Sequence, residues 1–231
     1  MKNKQDVVGP NESLEIHPIK EKVYGAIKEK IIDFSYKPGQ QLIEQNLSNE
    51  FGVSKSPVRE ALHRLEGDGL VQLIPYRGAF VTSISMKEFE EIYQLREALE
   101  IYCLEKGMLS YSKEDIEKFR KIMELSKYNV ERKEATKAIE DHLAFHYLLV
   151  RKMENKLIED SYARMHTKMK RYLRIAIKVK PERITLYNTE HYRILEAMGK
   201  GNVSSAVDEL RNHLSHVVES FLTDEILHVL P

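Results

Sequence analysis

Four histidines in the C-terminal half of this sequence are the side chains best suited to metal chemistry: His142, His146, His191 and His213. His142 and His146 are four residues apart, so they lie on one face of a predicted helix. The other two lie on separate predicted helices. Imidazole nitrogens suit zinc or nickel. A histidine pair at this spacing is more often exposed to solvent or placed at a helix end, so the residues alone leave both interpretations open.

A second group, of short polar and basic side chains, lies at the start of another predicted helix and consists of Ser54, Lys55, Ser56 and Arg59. Ser54 or Ser56 can cap this helix, and either choice leaves Pro57 in the first turn, where its missing N–H costs nothing. Another side of the helix is apolar and predicts a core beneath it. A helix that reads the major groove contacts base edges from its first turns. An ordinary capped surface helix would show the same pattern, and this stretch taken alone favours that interpretation.

The bulk composition predicts a globular, cytoplasmic protein. The chain has 231 residues, 42% hydrophobic and 31% charged, which is enough for one large domain or two smaller ones. The single cysteine, Cys103, excludes an internal disulfide and fits a reducing compartment. No apolar run reaches the length of a membrane span, and the N-terminus lacks the core of a signal peptide.

The charge balance gives no support to general binding of polyanions. Lysine plus arginine and aspartate plus glutamate each total 36, so the formal net charge is zero. A protein that binds nucleic acid through its overall charge would be basic. Any such role must therefore depend on where the basic residues are placed.

Residues 1–17 are polar and without periodicity, and we expect a flexible tail. Apolar residues four apart from Ile19 to Ile31 then predict an amphipathic helix, which a turn at 35–39 ends. A short helix follows, with Gly52 as its C-terminal cap. Because only two residues separate it from Ser54, the two helices predict a helix-turn-helix.

The pattern changes after Gly69. Two strand-like runs, 70–74 and 79–82, bracket a Pro-Tyr-Arg-Gly turn and predict a hairpin with a basic tip. Helices followed by such a hairpin predict a winged helix-turn-helix over residues 18–83.

The remainder of the chain, residues 84–231, predicts an all-α bundle. Ser85, with Glu88 three residues later, is a capping-box signature that starts a new helix. Six helices are expected, near residues 86–110, 113–131, 134–153, 155–178, 182–199 and 203–228. The predicted fold class is therefore mainly α: a winged helix-turn-helix followed by a six-helix bundle.

Long motifs in both halves resemble one known family. The run PGQQLIEQNLSNEFGVSKSPVREALHRLEGDGLV, followed by RGAFV, resembles the N-terminal domain of GntR-family transcriptional regulators. LREALE, HLAFH, NKL and EHYRILEAMGKGNVSSAVDELRNHL are similar to the FCD effector domain of its FadR-type branch, and six helices rather than seven resemble the VanR-like subgroup. The resemblance covers nearly the whole chain from about residue 19. It implies that residues 84–231 bind an effector and form a homodimer.

The resemblance also implies which residues contact DNA. The positions that match the family's contacts are Gln45, Ser54, Lys55, Ser56 and Arg59, together with Arg77 and Gly78 at the wing tip, in or along the minor groove. Gln45 stands where the family often has a basic residue. Arg59 could offer its guanidinium fork to guanine O6 and N7 or to a phosphate, whereas Lys55 suits a phosphate. The alternative for Arg59 is a surface salt bridge with Glu60 or Glu66.

For the histidines, the resemblance implies a divalent metal ion at the centre of the bundle, held by three histidines and an aspartate. His146, His191 and His213 fall on the histidine positions, while His142 takes the aspartate position, next to Asp141. Three outcomes are open: His142 replaces the carboxylate, the helix turns to present Asp141, or metal binding is weakened. Zinc or nickel is the expected metal.

Arg96, in LREALE, matches an arginine that faces the family's effector cavity, and small organic acids are the usual effectors. A guanidinium opposite a metal ion would hold a carboxylate between two positive groups. The alternative is a surface ion pair with Glu100, four residues away.

The function expected from the resemblance is a ligand-responsive regulator, most often a repressor, that pairs two chains on a palindromic operator in double-stranded DNA. A metal-dependent enzyme is a rival, but no well-placed general base stands beside the histidines in the sequence. A second alternative is a protein that stores a metal or a metabolite and whose DNA-binding domain is degenerate. The retained polar residues at the front of the recognition helix speak against it.

Overall fold

The structure is a computed structural model that describes residues 12–222, with side chains described from residue 19. The chain divides into two compact units, one ending at Ser83 and the other beginning at Ile84. Each unit has its own core, and each is described by itself. None of the helices within the described range is both long and apolar enough to cross a membrane.

The N-terminal unit is a winged helix-turn-helix, as predicted. Its elements are α1 (Glu12–Ile32), β1 (Gln41–Leu42), α2 (Glu44–Phe51), α3 (Lys55–Gly67), β2 (Val71–Ile74) and β3 (Gly78–Val81). Apolar faces of all three helices meet the sheet in one core, which includes Ile27, Leu47 and Leu62. The core therefore fixes α3 in place while the opposite side of α3 remains exposed.

The turn between α2 and α3 depends on a glycine. Gly52 has φ +63°, the left-handed conformation, and its N–H donates to the carbonyl of Ser48. A residue without Cβ adopts this conformation at little cost, which allows α3 to start three residues later, at Lys55. Ser54 takes the N-cap position of α3, but its hydroxyl makes no capping hydrogen bond within the described structure.

The wing is the antiparallel hairpin of β2 and β3, with Val71 opposite Val81 and Ile74 opposite Gly78. The short strand β1 pairs with the other edge of β3, so β3 is central in the sheet. The sequence does not predict β1, because two residues show no periodicity.

The first helix begins earlier than expected. Helix α1 starts at Glu12, inside the segment 1–17 that was expected to be a flexible tail, so that expectation is wrong for residues 12–17. These residues, ESLEIH, include good helix formers and follow Gly9-Pro10. Residues 1–11 lie outside the described part of the chain.

Within residues 84–222, the C-terminal unit contains the six α-helices that were predicted. They are α4 (Met86–Gly107), α5 (Lys113–Glu131), α6 (Ala135–Arg151), α7 (Lys156–Val179), α8 (Arg183–Gly199) and α9 (Val203–Phe221), with a single 3-10 turn after α4. The predicted C-terminal end of the last helix, near 228, lies outside the described residues. Helix α6 packs against α4, α5, α7 and α8, and α8 also packs against α9. Side chains on the inner faces of α6, α8 and α9 therefore meet near the middle of the bundle.

Side-chain caps start four of these helices. The Ser85 hydroxyl accepts from the N–H of Glu88 at 3.0 Å, which starts α4 as the capping-box signature indicated. Ser112 and Asp115 form a complete capping box on α5, and asparagines cap α7 and α9. Such caps satisfy backbone N–H groups that lack partners inside the helix, so they fix the residue at which each helix begins.

Candidate metal centre and DNA-reading surface

Four histidines meet at the centre of the helical unit. His142 and His146 come from α6, His191 from α8 and His213 from α9, and all four are fully buried. One ring nitrogen from each lies within 4.8 Å of those of the others. The Nε2 atom of His191 lies 2.9 Å from that of His146 and 3.3 Å from that of His213. The structure therefore brings together the four histidines that the sequence analysis singled out.

Two buried carboxylates hold the outer nitrogens of two of these rings. Nδ1 of His146 donates to Glu100 Oε2 at 2.7 Å, and Nδ1 of His213 donates to Glu190 Oε2 at 2.7 Å. A carboxylate can only accept, so each of these rings carries its proton on Nδ1 and a lone pair on Nε2. This is the arrangement by which carboxylates orient histidine ligands at metal sites.

The histidines are neutral in this environment. Burial, followed by the closeness of the other three histidines, which disfavours a further positive charge, lowers the pKa of His142 well below its ordinary value. Burial and then the positive charge of Arg96 have the same effect on His146. Burial lowers the pKa of His213 to about 3. Because a metal binds the neutral imidazole, all of these shifts favour metal ligation at neutral pH.

The donor atoms fit a divalent metal ion better than they fit one another. The Nε2 lone pairs of His146 and His213 both face Nε2 of His191. That nitrogen carries at most one proton, so it can donate a hydrogen bond to only one of them. Neither ring nitrogen of His142 has a hydrogen-bond partner within the described chain. Ligand nitrogens about 2.0–2.1 Å from a tetrahedral ion would lie about 3.3 Å apart, close to the 2.9 and 3.3 Å that separate His191 Nε2 from the Nε2 atoms of His146 and His213.

His142, rather than Asp141, faces the cluster. Its ring stacks on that of His191 with centroids 4.7 Å apart and planes 16° apart. Asp141 instead accepts a hydrogen bond from Asn129 Nδ2 at 2.6 Å. Of the outcomes left open above, the structure presents four nitrogen donors, without rotation of the helix.

Arg96 is a buried cation beside this cluster. Its Nε donates to Glu100 Oε1 at 2.6 Å, so it does pair with the residue four positions on, but both side chains are fully buried rather than on the surface. The two terminal nitrogens of its guanidinium make no hydrogen bond to any described residue, and the same holds for the hydroxyl of Tyr93. The guanidinium lies over the Tyr93 ring, 5.2 Å from its centroid. The buried terminal donors could therefore bind an anionic group.

On the N-terminal unit, Arg59 has a partner that the sequence analysis missed. Its Nε donates to Glu44 Oε1 at 3.1 Å and its Nη2 to Glu44 Oε2 at 2.8 Å. The expected alternative partners were Glu60 and Glu66, and Glu44 lies on a different helix, α2. Arg59 is exposed at the front of α3 and remains directed to solvent.

The other expected DNA contacts lie on exposed parts of the same unit. Ser54, Lys55 and Ser56 are exposed at the start of α3. Gln45 is exposed on α2 and donates to Asn49 at 3.0 Å. At the wing tip, Arg77 and Gly78 are exposed, and the carbonyl of Arg77 accepts from Gln41 Nε2 at 2.8 Å.

Sequence reasoning missed three glutamates that orient these groups: Glu44, Glu100 and Glu190. Glu190 precedes His191, so its binding to His213 could not be read from spacing along one helix. Glu100 was considered only as a surface partner of Arg96. Its contact with His146 joins residues 46 positions apart, and no local pattern carries that information.

A winged helix-turn-helix together with a helical domain that has a buried polar centre defines a DNA-binding regulator that responds to a ligand. The chain belongs to the GntR family. The family model for bacterial regulatory proteins of the gntR family matches residues 19–81, and the FCD domain matches residues 91–216. FCD domains bind small-molecule effectors, and some members bind metal.

Several known proteins are similar over most of their length. The HTH-type transcriptional regulator YdhC of Bacillus subtilis is 30% identical over 85% of this chain and 88% of its own. The HTH-type transcriptional repressor RspR of Escherichia coli K12 is 26% identical over 88% and 89%. A GntR transcriptional regulator from Rhodococcus sp. RHA1 has the same fold, with a TM-score of 0.76 at 21% identity over 88% of this chain and 97% of that one. The protein is thus a DNA-binding transcriptional regulator and belongs to a family of regulators rather than enzymes.

Proposed function

We propose that this regulator represses transcription from a palindromic operator as a homodimer in the cytoplasm, and that it senses a small organic acid at a metal ion in its helical domain. The observation that carries the proposal is the buried cluster of four histidine nitrogens within 4.8 Å of one another, next to a buried arginine with unpaired terminal donors. With a metal ion bound, this set of groups would suit an anion held between two positive charges.

His142, His146, His191 and His213 would hold the metal, and four imidazoles favour zinc or nickel. A bound ion would supply a positive charge that attracts a carboxylate. The chain's own contribution is to fix the imidazoles, since Glu100 and Glu190 hold the rings of His146 and His213 in their tautomers. Burial excludes water, which strengthens these electrostatic interactions.

Arg96 would bind the effector's carboxylate. A guanidinium offers parallel N–H donors in the geometry of a carboxylate, and the Nη1 and Nη2 atoms of Arg96 have no other partner within the described residues. Glu100 neutralises part of the charge of Arg96. An effector that binds one arrangement of the domain more tightly than another would shift the balance between them, which tight binding alone would not do.

On the DNA, α3 would enter the major groove, with Arg59 at a base edge or phosphate and Lys55 at a phosphate. The hydroxyls of Ser54 and Ser56 and the amide of Gln45 would add contacts, and Arg77 and Gly78 would reach the minor groove. One recognition helix covers only half of a palindrome. A symmetric dimer would place two of them about one helical turn apart.

The metal content of the purified protein tests the sensing site. Wild type should contain about one equivalent of zinc or nickel by elemental analysis, while His146→Ala combined with His191→Ala should contain none. His63→Ala, which removes an exposed histidine of the other unit, should retain the metal. Stoichiometric metal in a folded double variant would rule out the site.

A panel of small carboxylic acids tests the effector site. At least one acid should raise the melting temperature of wild type but not that of Arg96→Lys, which keeps the charge and loses the fork. Arg211→Ala, an exposed arginine paired with Glu97, serves as the control. Equal shifts in wild type and Arg96→Lys would remove Arg96 from the site.

Operator affinity tests the recognition helix, with a duplex that wild type selects from a random-sequence library. Arg59→Ala should weaken binding by about 1–3 kcal/mol if Arg59 reads a base. Unchanged affinity would contradict that role. Sedimentation of the complex should show two chains per palindromic duplex.

A further inference from the structure

The ion pair between Glu44 and Arg59 leaves one edge of the guanidinium available. An arginine carries five N–H donors, one on Nε and two on each terminal nitrogen. Glu44 accepts from Nε at 3.1 Å and from Nη2 at 2.8 Å. The donors left outside the pair, on Nη1 and the outer side of Nη2, form the parallel edge that matches guanine O6 and N7.

Stability of the fold does not explain this pair. The Arg59 side chain is 60% exposed and that of Glu44 34% exposed, and exposed ion pairs contribute little to folding. Glu44 also brings a negative charge to the surface that would face the phosphates, where it opposes binding to any duplex. Its position is therefore unfavourable for general DNA affinity.

The pair does restrict Arg59. A long side chain that is already held in one orientation loses less conformational freedom when it binds, so its contact with the correct base is favoured. The hydrogen bonds from Arg59 lower the pKa of Glu44 against the opposing effect of partial burial, so the carboxylate is charged at neutral pH. Both hydrogen bonds are thus charge-assisted, and their two-point geometry fixes the plane of the guanidinium.

We propose that Glu44 is a positioning residue that holds Arg59 in the orientation for reading a guanine and so raises the specificity of DNA binding. It raises specificity by preparing Arg59 for one base. Its charge also weakens binding to every duplex, which lowers general affinity without changing the ratio between sequences. The inference rests on the base-reading role proposed for Arg59.

The test compares the affinity for the selected operator with that for a scrambled duplex at several salt concentrations. Glu44→Ala and Glu44→Gln should lower the ratio of the two affinities about tenfold or more, with equal or higher affinity for the scrambled duplex. Glu60→Gln is the matched control. Glu60 lies on α3 next to Arg59 and pairs with Lys20 at 2.5 Å, so its replacement removes the same charge without touching the guanidinium. That variant should keep the wild-type ratio.

A double-mutant cycle shows whether Glu44 acts through Arg59. In the Arg59→Ala background, Glu44→Ala should have no further effect on the ratio. An unchanged affinity ratio in Glu44→Ala would overturn the inference. So would a full effect of Glu44→Ala on that ratio in the Arg59→Ala background. If Arg59→Ala itself left operator binding unchanged, the proposed role of Arg59 and this inference would both fall. If Arg59→Ala weakened operator binding but Glu44→Ala left the affinity ratio unchanged, only this inference would be overturned, and the role of Arg59 would stand. Unchanged melting temperatures would establish that each variant is folded.

Discussion

Glu100 connects His146 to Arg96. One oxygen of its carboxylate lies 2.7 Å from Nδ1 of His146, and the other accepts from Nε of Arg96 at 2.6 Å. Tyr162 donates to the same oxygen as Arg96, at 2.5 Å. All of these side chains are fully buried, so the proposed metal site and the proposed effector site share one anion. A change at either site can therefore affect the other through this carboxylate.

Glu100→Gln should therefore weaken metal binding. A carboxamide can still accept from Nδ1 of His146, but it loses the charge that makes the ring a better ligand. The loss of such outer partners typically lowers metal affinity about 10–100-fold. Competition with a chelator of known zinc affinity measures the effect, and Glu190→Gln should behave alike through His213. Glu97→Gln, on the exposed side of α4, should leave the affinity unchanged. Wild-type affinity in Glu100→Gln would show that the carboxylate does not act on the metal.

The metal-free protein should lose stability on mild acidification. Burial keeps the pKa values of the four central histidines low in the folded chain, and that of His213 falls to about 3. In the unfolded chain a histidine titrates near 6.5, so below that pH the unfolded state binds more protons. Stability is then complete above about pH 6.5 and falls as the pH drops, by about 1.4 kcal/mol per pH unit for each buried histidine.

Urea unfolding at pH 7.5, 6.0 and 5.0 with a chelator present measures this slope. His142→Leu should reduce the slope of stability against pH by the contribution of one histidine, about 1.4 kcal/mol per pH unit. His63→Gln, at an exposed position of the other unit, should leave it unchanged. A slope in wild type no steeper than in His142→Leu would show that His142 is not held neutral in the folded protein.

Local patterns predicted most of the fold, and tertiary contacts account for what they missed. The four-residue repeat from Ile19, the glycine at 52 and the Ser85 capping box each act within a few residues, so the sequence carries them directly. The two-residue strand β1 has no pattern of its own and exists because β3 offers it an edge. Likewise, the spacing along α6 predicts only a histidine pair, which has two interpretations. The meeting of that pair with His191 and His213, and the contacts of Glu100 and Glu190 with the rings, depend on how separate helices pack.

Gly52 and Gly25 should respond in opposite directions to substitution by alanine. Gly52 has φ +63°, where a Cβ is strained, so Gly52→Ala should destabilise the N-terminal unit by about 1 kcal/mol. Gly25 lies within α1, and a Cβ there would meet no described atom within 4 Å. Gly25→Ala should therefore stabilise by about 0.5–1 kcal/mol. Thermal unfolding of the two variants measures both, and the same sign in both would contradict the role given to the Gly52 turn.

His142→Asp should change which metal the helical domain prefers. The substitution gives three imidazoles and one carboxylate, the set that the family resemblance implies, in place of four nitrogen donors. Nitrogen ligands suit nickel and zinc, whereas carboxylate oxygens suit harder ions such as manganese. The ratio of nickel to manganese affinity should therefore fall in the variant, as measured by competition with a fluorescent chelator. Asp141→Asn changes the neighbouring residue, which binds Asn129 rather than the cluster, and should keep the wild-type ratio. An equal shift in both variants would indicate a general effect on α6, and no shift in His142→Asp would remove His142 from the ligand set.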